Sequence, residues 1–429
     1  MPIPRVPTRL KELLVILILV FSTSPLTLVL GSGGSAEGHP ASQAIWLVFY
    51  LLTFTFLIPQ LNRFVFVLTR SKLILALAAL AILSAFWSID PLGTLRRAIA
   101  LGATTIIGAY LATYFDLRRQ LELLGWALGI ALVASLIVIL LWPNYGIHQS
   151  GFDSGKWHGI FHQKGVLGQF ASIGAIVFFF LAWTKSRHRW FLWLLFGLAT
   201  ILLIFSQSRN PTIALVLVIG ILPFLKFLWK RWHFLLTVPF VIASLAFTAV
   251  TATVIFSQAE FLLNLIGRSA TLTGRTGLWR DIGYMILERP ILGYGYNGFW
   301  HGWEGPSAQI WQTNNWLPNH AHNGFLELIL TLGVLGLILF FADFLKTLFF
   351  SIKLLRYKRT FFSLWPVAFL VFLVFFNFTS TALILQNSLL WILYVSTSLS
   401  VSLHHANIRE EYQSNSSPIG GSLETSLSK

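Results

Sequence analysis

Residues 121–142 read LELLGWALGIALVASLIVILLW. Glu122 is the one charged residue in the run, and no proline interrupts it. A helix needs about 20 apolar residues to cross the hydrocarbon core of a bilayer, and this run supplies them. Eleven more runs of the same kind lie on either side, at 12–31, 43–60, 72–87, 97–115, 165–183, 190–206, 211–229, 234–256, 323–345, 361–382 and 385–404. The expected fold class is therefore all-α integral membrane, with about twelve transmembrane helices. Hydrophobic residues make up 56% of the chain and charged residues only 10%, and the mean hydropathy is +0.74. A soluble domain could not bury that much apolar surface. The first run follows Arg5, Arg9 and Lys11 and has the outline of a signal peptide. The succession of further spans favours a retained first helix.

Charge sets the expected orientation. With the N-terminus in the cytoplasm and alternating spans, 21 of the 30 Lys and Arg residues fall inside and 9 outside. That obeys the positive-inside rule and puts both termini in the cytoplasm. The net charge of +15 is then a topology signal and an affinity for anionic membrane lipid. Nucleic acid is excluded as a partner, because the basic residues are scattered over short loops rather than gathered on one face. There are no cysteines, which rules out disulfides and thiolate metal sites.

Residues 1–405 read as one polytopic membrane domain without a repeat of fixed period. Residues 406–429 are rich in Ser and read as a disordered cytoplasmic tail. Two outside segments are long. One runs from Trp142 to about Gly165, the other covers 257–322 between the ninth and tenth spans. Long loops with their own structure are usually functional. In the second, Gly274-Arg275-Thr276-Gly277 leads into a short amphipathic helix. Leu278, Ile282, Met285 and Ile286 share its apolar stripe, with Arg280, Asp281 and Glu288 off it. Pro290 stops the helix, which is expected to lie along the outer membrane surface. Gly293-Tyr294-Gly295-Tyr296-Asn297-Gly298 follows as a flexible, turn-rich piece. Trp300, Trp303, Trp311 and Trp316 could stack on sugar rings or form an interfacial aromatic belt.

The ionisable residues near spans cluster at the outer face. Arg209 sits in the tight turn Ser206-Gln207-Ser208-Arg209-Asn210-Pro211, where a guanidinium suits phosphate oxygens or snorkels to headgroups. Arg275 precedes a helix N-terminus, which also favours anions. Arg280 and Arg289 read as a solvated helix face. Lys164 closes the first loop together with His158 and His162. Those histidines are four apart and would share a helix face, but Gly159 weakens the helix and no third ligand follows, so no metal is expected. His320 and His322 stand at the entry to the tenth span, and Glu327 follows them. Two apart on a regular helix, the two rings would point about 200° apart. No span carries a charge near its middle, although Asp343 lies near an inner end. This counts against a transporter, whose coupling groups usually sit at mid-membrane.

In order along the chain stand Phe86-Trp87-Ser88-Ile89-Asp90-Pro91, Gly159-Ile160-Phe161-His162-Gln163-Lys164-Gly165-Val166-Leu167-Gly168, Ser206-Gln207-Ser208-Arg209, Gly274-Arg275-Thr276-Gly277-Leu278-Trp279, Pro290-Ile291-Leu292-Gly293-Tyr294-Gly295 and His320-Ala321-His322-Asn323-Gly324-Phe325-Leu326-Glu327. The ordered set resembles the O-antigen ligase and O-antigen polymerase superfamily, which includes exopolysaccharide polymerisation proteins. It departs at Gly165, where that superfamily usually has Asn. The resemblance implies an inverting, metal-independent glycosyltransferase without a cofactor, in the bacterial inner membrane, with its active site facing the periplasm. Its donor would be a polyprenyl-diphosphate-linked glycan. Its acceptor would be a sugar hydroxyl on a lipid A core or on another lipid-linked glycan. Fixed cations suit the diphosphate leaving group, and Arg209 and Arg275 are chosen for it, supported by Lys164. His322 is the expected base and Glu327 its orienting partner. His320, Arg280 and His162 are weaker substrate contacts. The competing readings are a transporter for a small anion such as bicarbonate or for a lipid-linked glycan, and a non-catalytic part of an export complex.

Overall fold

The structure is a computed structural model, and it describes residues 7–25, 39–184, 188–230, 275–314, 316–358 and 360–416. These residues form helices and loops. Their one β feature is an isolated antiparallel bridge between Ile147 and Trp157. The ninth predicted run, 234–256, lies outside the described residues, as does Arg268. Each of the other eleven runs carries a helix.

In chain order these are α1 (Thr8–Phe21), α2 (Pro40–Leu57), α3 (Leu61–Leu68), α4 (Lys72–Leu83), α5 (Pro91–Tyr114), α6 (Leu117–Leu141), α7 (Lys164–Trp183), α8 (Arg189–Ser206) and α9 (Arg209–Lys230). After the second long loop begins come α10 (Arg275–Glu288), α11 (Ser307–Thr313), α12 (Gly324–Lys358), α13 (Trp365–Asn377) and α14 (Leu389–Ser416). Among the described residues, five stretches can cross a membrane by length and composition: Pro40–Leu68, Leu117–Leu141, Lys164–Trp183, Arg189–Ser206 and Gly324–Lys358. The last helix continues to Ser416, into the stretch expected to be a disordered tail.

Local chemistry explains the boundaries. Asp90 accepts from Gly93 N at 2.9 Å, and Pro91 takes the first turn of α5, where no N–H is needed. Asp116 caps α6 in the same way, accepting from Arg119 N at 2.8 Å. All thirteen residues of α13 are buried, and α7 is buried around most of its circumference. Helices apolar on every side belong in the interior. They form the middle of the bundle, while α2 and α8 expose Leu47, Leu51, Phe54, Leu194 and Ile204 as lipid-facing helices would.

The helix α12 is broken. Gly333 has φ 68° and ψ −174°, outside any helical region. The break frees backbone groups on either side, and residues 290–295 take them up. Tyr294 N and Gly295 N donate to Leu330 O and Thr331 O, each at 2.9 Å. In return Val334 N donates to Pro290 O at 2.8 Å and Leu335 N to Ile291 O at 3.3 Å. The segment expected to be flexible is therefore pinned. Tyr294 and Tyr296 are each only 3% exposed. Tyr296 OH donates to Ile384 O and to Gln386 Oε1, Trp87 Nε1 donates to Leu292 O, and Arg97 Nη1 donates to Asn297 O. Its glycines gave the appearance of flexibility, but they allow close approach: a Cβ on Gly295 or Gly298 would strike Ser88.

Beyond the break, Asp343 is 1% exposed and fully satisfied. It accepts from Ser71 Oγ, Lys346 Nζ, Tyr394 OH and Ser398 Oγ at 2.5, 2.5, 2.9 and 3.0 Å. This network ties α4, α12 and α14 together at the end opposite residues 319–323.

A Cβ at Gly333 would lie 2.0 Å from Ile291 O, on a backbone conformation that side chains rarely adopt. Such strain costs about 1–3 kcal/mol before the clash is counted. Gly333→Ala should lower the Tm of the detergent-purified protein by several degrees. Gly197→Ala, in α8 with nothing near its Cβ, should leave Tm nearly unchanged. Equal behaviour of the two variants would disprove the pairing role of the break.

Candidate functional site

The loop before α12 is clamped through one residue, Ala321, by both its N–H and its C=O. Trp279 Nε1 donates to Ala321 O at 2.9 Å, and Ala321 N donates to Glu327 Oε2 at 2.6 Å. The other carboxylate oxygen of Glu327 accepts from Trp300 Nε1 at 2.9 Å. Glu327 is 6% exposed. It therefore does not orient the His322 ring, as the sequence led us to expect. It grips the backbone between the two histidines, because both of its oxygens point back over the first turn of the helix.

The expected 200° separation of the histidines also fails, because the helix begins only at Gly324. His322 adopts a left-handed conformation, φ 49°. This brings both rings to one place, with centroids 3.9 Å apart. The Trp316 ring lies 5.3 Å from His322 on another side. His320 Nδ1 pairs with Asn319 Oδ1 at 2.6 Å, while His322 makes no side-chain hydrogen bond among the described residues.

Arg275 is the first described residue of α10 and donates from Nη1 to Thr379 O at 3.2 Å. It has no acidic partner among the described residues. Burial pushes the His322 imidazole down to about 3, helped by the charges of His320 and Arg275. Burial followed by Arg275 pushes His320 down to about 4. Burial also lowers the Arg275 pKa. The result is a pair of neutral imidazoles beside a guanidinium with no acidic partner among the described residues, an arrangement that attracts anions and leaves an unprotonated ring nitrogen free.

One short turn after α13 gathers the remaining motifs. Asn210 Nδ2 donates to Phe376 O and Ser380 Oγ, each at 2.9 Å. Asn323 Nδ2 donates to Phe378 O at 3.1 Å, and Arg275 reaches Thr379 O. Residues 376–382 thus join the 206–210 turn, Arg275 of α10 and the histidine loop. Sequence reasoning had placed this turn at the end of an apolar span. The run Asn377, Thr379, Ser380, Thr381 was the signal that the span ends early.

Arg209 is exposed at the start of α9, just after Gln207 in a left-handed conformation. Next to it Ser208 Oγ donates to Lys164 O at 2.9 Å. Lys164 and Lys156 both bind Asp153 Oδ1 at 2.8 Å, and the charge of Arg209 acts on Lys156. Asp153 and Lys156 were not singled out in the sequence, since a loop acid and a loop lysine carry no local pattern. Trp157 stacks on Phe205 at 4.3 Å and fastens this loop to the turn. Arg280 is exposed and paired with Asp281 at 3.4 Å, on the solvent side of α10. His162 belongs with the first-loop group, where His148 acts on it, and not with His322. His158 and His162 share no helical face: Gly159 has φ +60° and His158 Nδ1 is engaged with Phe161 O at 2.5 Å. Among the described residues no three His, Asp or Glu side chains gather in a group able to hold a metal.

Residues 194–341 match the O-antigen ligase family. That stretch holds Arg209, Arg275, His320, His322 and Glu327, and it ends within α12 beyond the break. Over that stretch the chain is similar to the O-antigen ligase and polymerase superfamily. It is 26% identical over 288 residues to the exopolysaccharide production protein ExoQ of Rhizobium meliloti, covering 65% of each chain. Two provisionally named polysaccharide ligases are also similar. The one from Rickettsia conorii is 28% identical over 161 residues, 36% of this chain and 38% of that one. The one from Rickettsia prowazekii is 32% identical over 124 residues, 28% and 30% respectively. The chain thus spans less than two thirds of the length of these relatives.

Two outcomes check the geometry. Both histidines should stay neutral by NMR down to about pH 5, against an unfolded midpoint near 6.5. Their folded pKa values are lowered, so the stability they contribute is present above pH 6.5. It is lost as pH falls toward 4. Glu327→Gln should destabilise by about 1–3 kcal/mol, because one of two buried N–H donors loses its acceptor. Trp300→Phe in the same background should then cost less than it does in the wild type, as a double-mutant cycle in Tm would show.

Proposed function

We propose that the protein is a membrane glycosyltransferase of the ligase or polymerase type. It moves a glycan from a polyprenyl-diphosphate carrier to a sugar hydroxyl at the outer face of a bacterial inner membrane. The observation that carries this reading is the pair of neutral histidine rings beside Arg275, a cation with no acidic partner among the described residues. The names of the relatives, with their exopolysaccharide and ligase descriptions, support the substrate class. The charge bias of the loops supports the outward orientation, with both termini in the cytoplasm.

The chemistry is a single displacement. The acceptor hydroxyl oxygen attacks the anomeric carbon from the face opposite the diphosphate, and the new C–O bond forms with inversion. The bond between the anomeric carbon and the phosphate oxygen breaks, and its electron pair leaves on polyprenyl diphosphate. The hydroxyl proton passes to His322. Arg275 and Arg209, with Lys164 behind them, hold the growing negative charge. A diphosphate leaves without an acid, so one base and several cations suffice.

The low pKa of His322 in the free protein fits this scheme. A diphosphate bound at Arg275 cancels that cation's effect on the imidazole and adds negative charge of its own. Both effects raise the basicity of His322 when substrate is present.

Purified protein given a lipid-linked donor and a sugar acceptor tests the proposal. His322→Ala should reduce kcat/KM by about 10²–10⁴-fold, the usual share of a positioned base. Arg275→Ala and Arg209→Ala should weaken transfer and donor binding together. The acid limb of kcat/KM, which reports the free enzyme, should lie below pH 5, and that of kcat should lie higher. Wild-type rates in all three variants would sink the mechanism.

A further inference from the structure

Three motif segments hydrogen-bond to the turn that follows α13, and the turn has unspent polar groups. Thr379 is 8% exposed, and its Oγ1 is buried without a partner among the described residues. Thr381 Oγ1 is in the same state. So is Trp316 Nε1, whose ring lies 5.3 Å from His322. Of the six unpartnered buried polar atoms among the described residues, three therefore lie on this turn and beside the histidine loop. Buried polar groups are nearly always paired, and an exception points to a ligand as readily as to a defect.

The turn carries no carboxylate from 376 to 382. Its backbone is already fixed: the carbonyls of Phe376, Phe378 and Thr379 accept from Asn210, Asn323 and Arg275. Ala382 N donates to Asn377 Oδ1 at 2.8 Å and closes it. A Cβ on Gly324 would strike Asn377, so the turn also packs tightly on the entry to α12. What remains is a rigid strip of hydroxyls next to a guanidinium that has no acidic partner among the described residues.

We infer that residues 376–382 form a third wall of the donor's phosphate site, with the hydroxyls of Thr379 and Thr381 donating to its diphosphate oxygens. The inference rests on the glycosyl-transfer reading. Neutral hydroxyl donors add directional contacts to the charge that Arg275 supplies. They fix the leaving group without deepening the electrostatic well from which the product diphosphate must escape.

Thr379→Val and Thr381→Val remove each hydroxyl at nearly constant shape, with Thr→Ser at the same positions as the conservative variants. The probe is glycan-free polyprenyl diphosphate in lipid nanodiscs, with transfer measured in parallel. Each Val variant should bind the probe about tenfold or more weakly and lose kcat/KM to a similar extent. Each Ser variant should recover most of both. Tm should hold or rise in the Val variants, since the lost hydroxyl had no partner. Val variants with wild-type binding and kcat/KM, in a wild-type protein that does transfer glycan, would overturn the inference alone. A large fall in Tm in both Val variants would overturn it too, because the hydroxyls would then be structural. A wild-type protein that neither binds the probe nor transfers glycan would overturn the proposed function, and this inference with it.

Discussion

A helix that breaks among apolar neighbours must find partners for the backbone groups it frees, because hydrocarbon offers none. In α12 that requirement falls at Gly333, and residues 290–295 meet it with four hydrogen bonds. The rest of the site depends on this exchange. It draws the second loop onto the bundle and seats Tyr294 and Tyr296 in the interior. It also sets α10 beside the first turns of α12. Only then can Trp279 and Trp300 reach the peptide and carboxylate that hold the histidine loop.

Charge balance follows the same division of labour. At the end beyond the break, Asp343 is matched by Lys346 and three hydroxyls, so burial leaves nothing unpaired. At the histidine end the balance is left open. Two lysines share Asp153, Arg209 stands exposed beside them, and Arg275 has no acidic partner among the described residues. The one buried acid nearby, Glu327, is spent on two N–H donors and neutralises no cation. A protein shaped for stability alone would match each cation with its own acid. Positive charge in excess of the acids among the described residues at one end is an arrangement that waits for an anion.

The sequence made the apolar runs legible, and the stripe Leu278, Ile282, Met285 proved to be the buried face of α10. Helix periodicity and hydropathy are local, so they survive without knowledge of the fold. What the sequence hid was non-local. Gly333 looks like any glycine in an apolar run, because its φ is imposed by a loop some forty residues earlier. Residues 293–298 look flexible because their hydrogen-bond partners lie in α12 and beyond. Glu327 and His322 were matched by sequence proximity. The carboxylate instead turned to the backbone N–H of Ala321, which no pattern announces. Residues 376–382 were hidden by the apolar residues around them. Hydropathy averages over a window, and a short polar turn does not move that average far.

The break at Gly333 also bears on the competing reading of a transporter. Discontinuous helices in transporters aim freed carbonyls and N–H groups at a substrate or ion near mid-membrane. Here Leu330 O and Thr331 O accept from Tyr294 and Gly295, and Val334 N and Leu335 N are likewise used. The backbone groups that the break frees are thus taken up by protein partners rather than left open toward a cavity. Among the described residues, side-chain polar groups without a partner lie instead on His322 before the helix and on Thr379 and Thr381 in the turn that Arg275 reaches. A site at the end of the bundle can take a ligand that stays in the membrane by its lipid tail and presents only its headgroup. A polyprenyl diphosphate has that shape, and it needs a surface site with cations and a base more than it needs a path through the protein.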